Sequence, residues 1–269
     1  MISMFFSAIA HITGWPPNVT PCVYIAVPDA NGSNTLSVVI TAPIDAYADD
    51  RPFAEVITGF GRIRLWFASE LYDVQPDLVT CAKGLSSAYA SIGAVLTTDR
   101  VMEPFQAAES MFMHGITFGG HPVMCAIALK NIEIMKRERI VEGVREKESM
   151  YRSTLEQLLE LPIAGDLRGA GCFYALELVK NKETRETFTD EESEWLLRGF
   201  LSPELFERGL ICRADDRGDP VIQISPPLVA GQAEFDELVR ILTDVLEEAW
   251  AKIEQPPGAP RRDTPRRAP

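Results

Sequence analysis

The chain of 269 residues is poor in what a metal centre, a membrane span or a nucleic-acid surface needs. It has only 3 histidines, and its 5 cysteines (Cys22, Cys81, Cys125, Cys172, Cys212) are scattered with no C-x-x-C pair. That excludes the common zinc and redox spacings, so no metal is expected and free thiols in a reducing cytoplasm are the simplest reading. Positive charge is scarce: 26 Lys and Arg stand against 39 Asp and Glu, a formal net charge of −13. Such a surface repels phosphate backbones and anionic lipid, so neither nucleic acid nor a membrane is expected as a partner. No apolar run reaches the length of a membrane span. Residues 1–10 are apolar but lack the basic flank and cleavage site of a secretory signal, and a cytoplasmic location is expected. Internal repeats are also missing.

What is present suits a soluble protein of one large domain or two moderate ones, with 46% apolar and 24% charged residues. The sharpest local signal is Pro76-Asp77-Leu78-Val79-Thr80-Cys81-Ala82-Lys83-Gly84-Leu85-Ser86-Ser87. An apolar run of strand type, Leu78 to Ala82, ends on a lysine followed by small residues. A lysine at the end of a buried strand is poorly solvated, which favours the neutral amine. A neutral amine attacks carbonyls and can hold an aldehyde cofactor. Small neighbours let the backbone approach a ligand closely. A lysine that simply leaves a strand for solvent has the same local pattern, and the stretch alone does not choose between the two.

Around this stretch the chain reads unevenly. Residues 1–53 mix short apolar pieces with turn formers such as Pro16-Pro17 and Asn31-Gly32, and no amphipathic helix stands out. From Glu55 an apolar strand end runs into the glycine-flanked turn Gly59-Phe60-Gly61, and Ile92 to Leu96 reads as a second buried strand. A glycine- and threonine-bearing loop over residues 111–120 leads to a helix opened by His121-Pro122, with Pro122 suited to the first helical position. That helix is expected to run to about Met135, restart near Ile140 and continue to Leu161. Residues 172–179 read as a strand, and Glu191 to Arg208 as a helix closed by Gly209. Short strands are expected at 210–213 and 221–224, and a final amphipathic helix from Gln232 to about Ile253. The tail 255–269, rich in Pro and Arg, is expected to be disordered.

Four separated stretches together resemble the class III (ω-amino acid) aminotransferases, which use pyridoxal 5′-phosphate. They are Glu55-Val56-Ile57-Thr58-Gly59-Phe60-Gly61-Arg62, then Pro76 through Ser87, then His114-Gly115-Ile116-Thr117-Phe118-Gly119-Gly120-His121-Pro122, and last Gly209-Leu210-Ile211-Cys212-Arg213 with Ser225-Pro226-Pro227-Leu228. The likeness runs from Glu55 to about Trp250 and covers the C-terminal half or so of a usual member. It implies an α/β fold: an incomplete fold-type-I transferase large domain over 54–138, with a smaller C-terminal α+β domain over 139–254. Residues 1–53 stay unassigned. It implies that Lys83 forms the Schiff base and moves the proton. Val56 packs on the cofactor ring, Thr117 binds the cofactor phosphate across a homodimer interface, and Arg213 meets a substrate carboxylate. His114 and His121 are expected to be structural, and Arg213, with Asp215, Asp216 and Asp219 close by, equally suits a solvated salt bridge.

The resemblance also locates departures. The family carries an aspartate directly before the Glu-Val pair, opposite the pyridine nitrogen; here that position is Ala54. Asp50-Arg51-Pro52 interrupts the apolar run expected of a central strand. Residues 1–53 contain no counterpart of the family's glycine/serine phosphate turn or ring-stacking aromatic. Two functions are therefore carried forward. One is an aminotransferase moving an amino group from an amine or ω-amino acid to a 2-oxo acid. The other is a truncated, catalytically impaired remnant that at most binds cofactor or forms dimers.

Overall fold

The computed structural model describes residues 52–55, 57–106, 118–214 and 220–254. Val56, His114, Thr117 and the stretches 1–51, 215–219 and 255–269 lie outside the described residues. Two compact units divide the chain, Met1–Glu146 and Lys147–Pro269.

The first unit holds a three-stranded sheet in the order β1 (Pro52–Glu55), β2 (Leu78–Cys81), β3 (Ala94–Thr97). Strand β1 pairs parallel to β2, with Ala54 opposite Thr80, and β3 pairs antiparallel, with Val95 opposite Thr80. All four residues of β3 are buried, as a short run of Ala, Val, Leu and Thr requires. The expected interruption at Pro52 is accommodated. Among the described residues β1 is an edge strand and Pro52 its first residue, where a missing N–H costs the ladder least. Helix α1 (Ala68–Leu71) precedes β2, and α2 (Asp99–Gln106) follows β3.

Helix α3 (Pro122–Arg137) starts as its sequence predicts. Pro122 takes the first turn, and the Nδ1 of His121 accepts the Val123 N–H at 3.3 Å. Cys125, Ala128, Ile132 and Met135 form its buried face at helical spacing. Helix α4 (Ile140–Glu156) follows across a break at Arg139, and the division between the units falls within it.

The second unit is built on an antiparallel sheet in the order β4 (Ala164–Ala170), β5 (Phe173–Leu178), β7 (Val221–Ile224), β6 (Arg213–Ala214). Strand β4 has no counterpart in the sequence reading. Ala-Gly-Asp-Leu-Arg-Gly-Ala has no β-branched residue, and its order comes from the ladder with β5. The expected helix from Glu191 to Arg208 is a composite. Helix α5 (Asp190–Glu194) passes through a π-helical segment, Trp195–Leu201, into α6 (Ser202–Glu207). The wider register, in which the Ser202 N–H donates to the Leu197 carbonyl, comes just before Pro203, which has no N–H to continue an α-helical ladder. Gly209 ends the run at φ 84°, as expected. Helix α7 (Gln232–Glu254) buries Phe235, Leu238, Ile241, Leu242 and Val245, and the Phe235 ring stacks on Tyr151 at 4.1 Å.

Candidate active site around Lys83

Strand β2 ends at Cys81, which is fully buried, and Ala82 is extended and buried. Lys83 then turns into the left-handed region at φ 42° and opens a 3-10 turn, Lys83–Leu85. The Leu85 N–H donates to the Ala82 carbonyl at 3.0 Å, and the Ser86 N–H to the Lys83 carbonyl at 3.2 Å. Leu85 and Ser86 are buried, and the Ser86 hydroxyl donates to the Ala90 carbonyl at 2.6 Å. Ser87 and Ala88 also have positive φ, 49° and 65°. A left-handed non-glycine residue costs on the order of 1–3 kcal/mol and persists only where its surroundings over-determine it. Three of them within six residues mark this turn as held in place.

The holding groups are visible. Phe60, itself at φ 59°, packs under the turn, and a Cβ added at Gly84 would lie 2.9 Å from the Phe60 Cβ. Phe60 is fixed in turn by its N–H, which donates to the Trp66 carbonyl at 2.6 Å, and by an edge-on contact with Phe67. From α3 the side-chain amide of Asn131 donates to the carbonyls of Gly84 at 2.9 Å and Leu85 at 3.1 Å. Phe60 and Asn131 were not singled out from the sequence. The available signal for Asn131 was a poor helix former in the interior of a helix.

One expectation is corrected. Lys83 is exposed, not buried, while Cys81, Ala82, Leu85 and Ser86 on either side of it are buried. The small residues after it also have local packing roles. The space at Gly84 is filled by Phe60, and the Ser86 hydroxyl closes its own turn.

Lys83 therefore stands at the carboxyl end of β2, beside the carboxyl end of the parallel strand β1. In open α/β sheets that edge is where ligands bind. Ala54 lies on β1 opposite Thr80, and alanine supplies no carboxylate there. Cys125, on α3, is fully buried and desolvation pushes its thiol pKa up, which disfavours the reactive thiolate. Arg213 belongs to the second unit, where it opens β6 opposite Gln223. Among the described residues no group of His, Cys, Asp and Glu could hold a metal ion, and no helix is long and apolar enough to cross a membrane.

The aminotransferase class-III family model matches residues 53–246. The chain belongs to the class III aminotransferases. It is 52% identical over 198 residues to a Mycobacterium tuberculosis protein named "probable aminotransferase", covering 74% of this chain and 42% of that one. It is 42% identical over 200 residues to the putrescine–pyruvate aminotransferase of Pseudomonas aeruginosa, with the same coverage. Among solved structures, the PMP-bound form of an aminotransferase from Vibrio fluvialis superposes with a TM-score of 0.70 at 31% identity, covering 78% of this chain and 46% of that one. The chain thus spans less than half the length of the class III relatives it matches. Its fold is that of the fold-type-I transaminases, and pyridoxal phosphate is the cofactor to which the family and the PMP-bound neighbour point.

Proposed function

We propose that this chain carries the lysine side of a class III aminotransferase site, transferring an amino group from an amine or ω-amino acid to a 2-oxo acid. The observation that supports the reading is the placement of Lys83, on a constrained left-handed turn at the carboxyl end of a parallel strand pair. When bound, pyridoxal phosphate supplies the electron sink for the carbon that loses its proton. The amine of Lys83 would hold the cofactor through its aldehyde and, when free, would move the proton at the substrate carbon. One residue serves both roles because the turn fixes its Cα while the four-carbon stem swings. By the resemblance, Val56 packs on the ring, Thr117 holds the cofactor phosphate of a second subunit in a homodimer, and Arg213 receives a substrate carboxylate through its fork. The putrescine–pyruvate specificity of one relative supports a diamine or ω-amino donor and a 2-oxo acceptor.

Ala54 favours the second reading, a protein that holds cofactor or dimerises but turns over poorly. On β1 opposite Thr80 it offers no acid to keep the pyridine nitrogen protonated, so the fit to the cofactor is good at the lysine and poor at the nitrogen. The two readings separate experimentally. With added pyridoxal phosphate, a visible absorbance band that borohydride fixes on Lys83, and that Lys83→Ala abolishes, supports the lysine assignment; no adduct at Lys83 defeats it. A band with transamination supports the first reading, and a band without it the second. Under the second reading Ala54→Asp raises the rate by about tenfold or more, the scale of a restored charged hydrogen bond.

A further inference from the structure

Resting on the assignment of Lys83, we infer that Asn131 is its positioning residue: the amide on α3 holds the left-handed turn and thereby aims the Lys83 amine. The carbonyls of Gly84 and Leu85 sit where a 3-10 turn ends. The turn's own bonds use the carbonyls of Ala82 and Lys83 and leave those two without a partner from the turn. Asn131 supplies one to each, at 2.9 and 3.1 Å, across 47 and 46 residues of sequence. Its Nδ2 also approaches the Met135 sulfur at 3.7 Å, one turn along α3.

The geometry makes this more than a helix-packing contact. Lys83 lies on the φ-positive side of the map, and the relaxed alternative for an L-residue is negative φ. A swing to negative φ at Lys83 would rotate the turn about that residue and carry the carbonyls of Gly84 and Leu85 away from α3. Bonding both carbonyls at once opposes this rotation, and Phe60 packs against Gly84 within the same turn. The helix that bears Asn131 is anchored at its start by the His121 cap and along its face by Cys125, Ala128, Ile132 and Met135. The backbone position from which the Lys83 side chain starts is therefore set from the helix, not from strand β2 alone.

The test compares wild type, Asn131→Ala and Asn131→Asp in the full chain. Asn131→Asp keeps the shape but places an acceptor against two carbonyl oxygens. Each protein is treated with pyridoxal phosphate and borohydride, and the pyridoxyl adduct at Lys83 is quantified against the exposed lysines Lys136 and Lys182 in the same digest. The expected result is a labelling ratio at Lys83 lower by about tenfold in Asn131→Asp and severalfold in Asn131→Ala, the cost of losing two hydrogen bonds at a precisely oriented group. Labelling at Lys136 and Lys182 stays level. A purely structural role would lower the melting temperature and leave the ratio unchanged, and an unchanged ratio overturns the inference while sparing the Lys83 assignment. Absence of preferential labelling at Lys83 in wild type overturns both. If Asn131→Asp does not fold, Asn131→Ala decides alone by the same ratio.

Discussion

Lys83 and Gly84 show how much of this site depends on single backbone angles and single atoms. Gly84 is small because Phe60 lies against it, so Gly84→Ala forces a Cβ to within 2.9 Å of the Phe60 Cβ. The expected outcome is a loss of about 1–3 kcal/mol in chemical denaturation, the usual cost of overpacking. Lys83 should lose part of its pyridoxal reactivity with it, because the turn moves as one piece. A loss of stability with reactivity intact would mean that Phe60 yields and the turn does not. The position of the lysine was legible: a strand-type run ending on Lys-Gly is a local pattern. Its exposure was not, because the solvation of a side chain at a sheet edge depends on what packs across that edge, which no local pattern encodes. Phe60 was invisible for the same reason, since its contact with Gly84 joins residues 24 apart in the chain.

Among the elements, those with period and caps were legible and those held by partners were not. Helices α3, α4 and α7 carry apolar faces and stop signals in their own residues. Strand β4, with Gly165 and Gly169 and no β-branched residue, exists through its pairing with β5. The start of α5 combines both kinds of information. The Thr189 hydroxyl accepts the Glu192 N–H at 3.2 Å, and the Glu192 carboxylate accepts the Thr189 N–H at 3.0 Å. The other carboxylate oxygen accepts from the Lys180 ammonium at 2.7 Å, a contact that no local pattern announces. This hydrogen bond holds the Glu192 carboxyl below the usual carboxylate range and the Lys180 ammonium above the usual amine range. A depressed carboxyl contributes stability above its unfolded pKa and loses it as pH falls through its folded one. A raised amine contributes below its unfolded pKa and loses it as pH rises through its folded one. Glu192→Gln keeps the cap and removes the charge, so it isolates the pair. Its Tm should fall below wild type by about 1–3 °C near neutral pH, a small shift because the pair is solvent-screened. The gap should close on acidification through the carboxylate range and again at strongly alkaline pH. A gap that persists in acid would assign the effect to the cap.

At the scale of the molecule, charge and apolar exposure oppose each other. Each chain carries a formal charge of −13, so two copies repel over the whole approach. The first unit nevertheless exposes Tyr72, Tyr89, Phe118 and Val123 at 50% or more, large side chains whose burial would favour association. The homodimer proposed above must gain more from such contacts than it loses to repulsion, and salt changes only the second quantity. The Debye length falls from about 30 Å at 0.01 M to about 8 Å at 0.15 M, which removes most of the long-range repulsion between copies. Self-association measured by sedimentation velocity should therefore tighten with salt, by about tenfold across that interval, until apolar contact alone sets it. Because dimerisation stabilises the folded chain by mass action, the Tm should rise with protein concentration more steeply in salt than without it. Association that weakens as salt is added would mean that complementary ion pairs hold the copies together, and would remove the exposed aromatic residues of the first unit as the basis of the dimer.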